Sequence, residues 1–129
     1  MISEEILEYH YGEIANKLDE MIPVEWKKIV MQAIDFGTSA TVYFYFYTKD
    51  DQAHYGSAIP NEYNVDQTIY NNFVSELIDI NSNFREEFVK ANIDPWESMT
   101  FILNEDWSFK VDFEYDINKE IGNFERRII

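Results

Sequence analysis

The chain has 129 residues, of which 25 are Asp or Glu and only 10 are Lys or Arg, for a formal charge of -15 at pH 7. That balance excludes a basic grip on nucleic acid, and the absence of Cys excludes disulfide frameworks, thiolate zinc sites and cysteine nucleophiles. A composition that is 46 % hydrophobic and 17 % aromatic forms a core, and the length suits one domain spanning 1–129.

Met1-Ile2-Ser3-Glu4-Glu5 places acids where a signal peptide needs positive charge, and no apolar run approaches the roughly 18 residues of a membrane span. A cytoplasmic protein is expected. Leu7, Tyr11, Ile14, Leu18 and Met21 then follow one another at helical spacing, with Ser3 as the cap and Pro23 as the stop.

After Pro23 the period becomes two. Val24 to Ile34 reads as a strand, Asp35 to Ser39 as a turn, and Ala40 to Lys49 as a second strand. In that strand Val42, Phe44 and Phe46 alternate with Tyr43, Tyr45 and Tyr47, which gives one dry and one amphipathic face. A third strand is expected near His54 to Ile59, ended by Ile59-Pro60-Asn61. Asp66 to Ala91 is helical again, with a stripe of Ile69, Phe73, Leu77, Ile80, Phe84 and Phe88 and a cap at Asn92. A second hairpin follows Asp94-Pro95-Trp96-Glu97, with Met99 to Leu103 and Trp107 to Tyr115 flanking Asn104-Glu105-Asp106. Phe109, Val111, Phe113 and Tyr115 are expected inside, and Lys110, Asp112, Glu114 and Asp116 outside. The order αβββαββ with hairpin-length links gives an α+β fold: an antiparallel sheet with the helices packed on one face.

The candidate chemical sites are weak. His10 and His54 stand apart without metal-ligand spacing, Glu13 near His10 excepted, and both read as surface histidines. No serine sits in a nucleophile elbow, and four glycines make no phosphate loop. Asp112, Glu114 and Asp116 begin like a calcium loop, but Ile117 replaces the glycine of the sharp turn and Asn123 the closing Glu. A nuclease core from Asp19 with Glu25-Trp26-Lys27 puts its first acid on a helix instead of a strand. Acid pairs also suit glycoside hydrolysis, although 25 acids make chance pairings abundant. No catalytic, cofactor or metal residue is therefore assigned.

The acid total asks more of an explanation, because -15 on one small domain costs stability through self-repulsion. Asp112, Glu114 and Asp116 stand about 6 to 7 Å apart along one strand face, like the anions of a phosphate backbone. A cationic protein fits such a row, whereas nucleic acid and anionic lipid are repelled; ordinary solvation of a strand face fits it equally. Tyr43, Tyr45 and Tyr47 either cover the second sheet face beneath the chain termini or form an amphipathic surface for a partner. Trp26, Trp96 and Trp107 read as anchors of the fold.

Several segments in order carry a resemblance: Ile14-Ala15-Asn16-Lys17, Ile22-Pro23-Val24-Glu25-Trp26, Val42-Tyr43-Phe44-Tyr45, and Ile59-Pro60 with Tyr63-Asn64-Val65. Further along come Phe84-Arg85-Glu86-Glu87-Phe88, Pro95-Trp96-Glu97-Ser98-Met99-Thr100, Phe109 to Tyr115, and Glu125-Arg126-Arg127. In these the chain resembles the YezG-like antitoxin family, which includes the EsaG-type immunity proteins of Gram-positive bacteria. The resemblance implies a non-enzymatic cytoplasmic protein, without cofactor, that binds and blocks a DNA-degrading toxin exported by type VII secretion. The partner expected is thus a cognate nuclease toxin met through its basic surface, with no direct contact to nucleic acid or membrane. Asp112, Glu114 and Asp116 are the residues expected to meet it first, and Tyr45 and Tyr47 those expected to hold it. The chain departs from the family in carrying Trp107 where Gly is expected in the second hairpin turn. The aromatic and basic tail expected after Glu-Arg-Arg is also missing beyond Ile129, which implies weaker binding if that tail contacts toxin. Two readings from other classes stay open: a small carboxylate- or metal-dependent hydrolase, and an adaptor module without a toxin partner.

Overall fold

The computed structural model describes residues 1–115. Ser3 accepts a hydrogen bond from the Ile6 amide (3.2 Å) and starts α1, Glu4–Met21, with Glu4 and Glu5 in its first turn. The helix stops where Ile22, restricted by the following Pro23, turns extended. It buries His10, Ile14, Ala15, Leu18 and Met21. The burial of His10 corrects the expectation of a surface histidine. His10 lies three residues from Leu7 and four from Ile14, so it falls on the apolar stripe, and its ring packs 5.4 Å from that of Phe84.

Three strands follow: β1 (Trp26–Asp35), β2 (Ala40–Thr48) and β3 (Ala53–Tyr55). The third is shorter than expected. Gly56–Ala58 forms a 3-10 turn and Ile59–Glu62 a short helix, α2, with Pro60 in its first turn. Proline lacks only an amide that a first turn leaves unpaired anyway, so Ile59-Pro60 starts a helix here instead of merely ending a strand.

The long helix α3, Gln67–Lys90, is capped by Asp66, whose carboxylate accepts from the Thr68 and Ile69 amides. It ends as expected at Asn92, which adopts a left-handed φ of 57°. The Asn92 amide bonds to Val89 O and the Ile93 amide to Phe88 O, the reverse-turn pattern that closes helices. Its buried stripe begins at Tyr70, while Ile69 is exposed. Counting back from Leu77, seven residues return almost to the same azimuth and eight overshoot by most of a quarter turn.

After Trp96, which is fully buried, β4 (Ser98–Asn104) and β5 (Phe109–Glu114) complete an antiparallel sheet ordered β3-β2-β1-β4-β5. This is the α+β architecture read from the sequence, with α1 and α3 packed on one face around Ile29, Met31, Phe44, Phe46, Met99, Phe101 and Leu103. The central β1 is buried on both faces from Ile29 to Asp35. At the β5 edge the inward side chains are covered only in part, so Phe109 and Tyr115 are exposed, against expectation, while Val111 and Phe113 pack on the core.

Candidate partner-binding surface

Strand register assembles the sheet face turned away from the helices. Tyr47 pairs with Lys28 and through it with Asn104. Tyr45 leads across Val30 and Ile102 to Lys110, and Tyr43 across Gln32 and Thr100 to Asp112. Glu114 stands opposite Ser98. Antiparallel register keeps opposed residues on one face, so the tyrosines of β2 and the acids of β5 share a surface, about 14 Å apart across three strand spacings.

Within it Asp112 is exposed, Glu114 and Tyr47 are half-buried, and Asp116 lies outside the described residues together with Ile117, Asn123 and Glu125-Arg126-Arg127. Tyr45 is only 6 % exposed. It packs with Val30, Ile102 and Tyr47, its ring set edge-on to that of Tyr47 at 5.8 Å. So little exposed ring gives Tyr45 the part of a support beneath Tyr47. Tyr43 and Tyr55, which pairs with Tyr45 across β2 and β3, are each 52 % exposed.

Two acids of the hairpin turns are held ionised by local donors. The Thr48 hydroxyl beside Asp50 holds that carboxyl below the usual carboxylate range, and the Ser108 hydroxyl does the same for Asp106. Asp51, 2.5 Å from Lys27 Nζ, raises that ammonium above its ordinary range. Neither Asp112 nor Glu114 joins an ion pair among the described residues.

Two residues weighed for catalysis, Asp19 and His54, make contacts that join elements of the fold. Asp19 accepts from the Trp26 indole (2.9 Å) and ties the end of α1 to β1. His54 stacks on Phe46 at 5.2 Å, with Nδ1 2.8 Å from Glu62 and Nε2 3.2 Å from the Thr48 hydroxyl. The outline is that of a nucleophile, a base and an orienting acid, but Thr48 donates to the Asp50 carboxylate, which opposes ionisation of the hydroxyl. What the group does is fasten β2 and β3 to α2. Among the described residues no three His, Asp or Glu side chains are placed to hold a metal ion.

Sequence reasoning undervalued Trp107. Trp26 and Trp96 are buried anchors, as expected, but Trp107 is 44 % exposed, beside Phe109 at 45 %. The signal available was its place next to a hairpin turn; its exposure depends on β5 being the sheet edge, which pairing alone decides.

The fold and surface define a small acidic α+β domain with both long helices on one side of an antiparallel sheet. The chain belongs to the YezG-like immunity protein family, which matches residues 7–129. It is 35 % identical over 130 residues to "Type VII secretion system protein EsaG" of Staphylococcus aureus (strain NCTC 8325 / PS 47), covering 98 % of this chain and 80 % of that one. It is 33 % identical over 122 residues to "Immunity protein YezG" of Bacillus spizizenii, covering 92 % and 76 %. The protein of the same name from Bacillus subtilis (strain 168) is 34 % identical over 119 residues, covering 90 % and 79 %. No helix of the described residues is long and apolar enough to cross a membrane.

Proposed function

We propose that the chain acts in the cytoplasm as the immunity partner of a DNA-degrading nuclease toxin exported by type VII secretion, silencing it as a stoichiometric protein complex. Membership of an immunity protein family supports the binding role, and the name of the staphylococcal relative supports the secretion route. The observation that carries the choice of toxin is electrostatic. A nuclease must present a cationic cleft to phosphate, and a domain at -15 whose Asp112 and Glu114, on one strand face, join no ion pair among the described residues complements such a cleft.

In this reading Asp112, Glu114 and Asp116 guide encounter, and Tyr47, propped by Tyr45, supplies apolar contact that slows release. The chain itself performs no chemistry. Titrating the purified protein into a type VII-secreted nuclease of its host while following plasmid degradation tests this. Activity should fall linearly to zero at a fixed molar ratio; a nuclease left fully active at molar excess overturns the proposal.

A further inference from the structure

On the helix side of the β5 edge, Trp107 and Phe109 form an apolar ledge against α1. With Tyr11, Glu8 and Gly12 they line an open groove of about 470 Å³, and a Cβ added at Gly12 meets nothing within 4 Å. Trp107 also borders a second groove, lined by Asp19, Glu25 and Glu105 with Lys49 as its cation. Trp107 is thus a half-exposed indole between an apolar trough and a net acidic one.

Its backbone makes the placement informative. The Trp107 amide bonds to Asn104 O, the Asn104 amide to Ser108 O, and Trp107 takes a φ of 68°. This is a turn followed by a one-residue bulge, where glycine fits best because a side chain crowds the left-handed conformation. The β2–β3 hairpin repeats the geometry with Asp51 at φ 64°, a short polar residue that tolerates it. An aromatic residue at such a position strains the turn, and only part of its ring is used internally, leaning on Trp26 at 6.1 Å.

We infer that the Trp107 ledge is a docking site for an arginine-bearing segment of the toxin, a proposal that rests on the function proposed above. A guanidinium lies flat on an indole face, is weakly hydrated, and is drawn by the surrounding carboxylates of Glu8, Asp19, Glu25 and Glu105. An ammonium, compact and strongly hydrated, gains less from the ring. The basic cleft of a nuclease supplies arginine, and the edge strand joins this ledge to the Asp112 face, so one partner wrapped around β5 reaches both.

The test uses the whole chain with octa-arginine and octa-lysine peptides at one ionic strength, binding being read by titration calorimetry, a signal that survives replacement of the Trp107 indole. Octa-arginine should bind about threefold more tightly than octa-lysine, because the planar, weakly hydrated guanidinium gains more over an exposed indole than the ammonium does. The variant Trp107→Gly should abolish that difference while keeping or raising Tm, since glycine suits the bulge. Equal affinities for the two peptides, or an arginine preference that survives Trp107→Gly, overturn the proposal. Gly12→Leu, which fills the trough from a helix position with open space, should weaken arginine binding without touching the indole; unaltered binding counts against the groove. With the toxin, loss of affinity in Trp107→Gly at unchanged Tm supports the site. A variant that neutralises the nuclease as tightly as the wild type overturns the site but leaves the immunity role standing. A wild type that neutralises no nuclease removes the toxin as occupant and overturns both.

Discussion

Two glycines show how far a single residue's role depends on what the chain folds against it. Gly56 sits behind β3, where an added Cβ would lie 2.6 Å from the Phe44 ring, whereas Gly12 in α1 faces open space. Gly56→Ala should therefore lower stability by about 1–3 kcal/mol through overpacking. Gly12→Ala should raise it by about 1 kcal/mol, as alanine replaces glycine inside a helix. Thermal denaturation of the two variants, identical in chemistry and opposite in sign, checks the pair. Neither role is legible in sequence, where scarce glycine only argues against a phosphate loop; the contact joins Gly56, in the turn after β3, to Phe44 on β2. Tyr70 makes a second residue-scale case. Burial pushes its phenol up from 10.0 to about 12, and burial also raises those of Tyr11 and Tyr63. A raised folded-state pKa means that the native state holds the proton longer than the unfolded chain. Its contribution is complete below pH 10.0 and is lost as pH rises towards about 12. Tyr70→Phe should flatten the alkaline fall in stability across that window, leaving the part due to Tyr11 and Tyr63, as urea denaturation at stepped pH measures.

Helices carry their own signals, and that explains which elements could be read from sequence. The caps of α3 are local: Asp66 bonds to amides two and three residues ahead, and Asn92 closes the far end through its own backbone. Asp66→Ala should cost about 1 kcal/mol, with unfolding still one cooperative transition; an unchanged urea midpoint would show the cap to be idle. The same locality made both long helices and the β1–β2 hairpin legible. The β3 region was misread because its outcome turns on contacts across the fold: Phe44 against Gly56, and His54 wedged between Thr48 and Glu62. The β5 edge was half legible. Alternation assigned each side chain to its face, but strand order determined that Phe109 stands exposed and that Trp107 becomes a ledge.

At the scale of the whole molecule, the sequence offers a charge of -15 and the fold decides where part of it is displayed. Lys17 bridges Glu20 and Glu76, Lys27 holds Asp51 and Lys49 holds Glu105, so several cations are already engaged near acids. Asp112 and Glu114 join no such pair among the described residues, and they share a face with the tyrosines of β2. The acid row was legible because strand alternation is a local rule. The burial of Tyr45 was not, because it needs Val30 and Ile102 from two other strands. If this face guides the encounter with a basic toxin, Asp112→Lys combined with Glu114→Lys acts on the association rate. At low salt the rate should fall about tenfold, and its dependence on ionic strength should become shallower, because long-range attraction is what salt screens. Dissociation should change little, since exposed charges steer more than they hold. Tyr47→Ala should do the reverse, leaving association unaltered and speeding release. Stopped-flow association and dissociation rates across a salt series separate the two, and a double reversal that leaves the low-salt association rate untouched takes β5 out of the encounter surface.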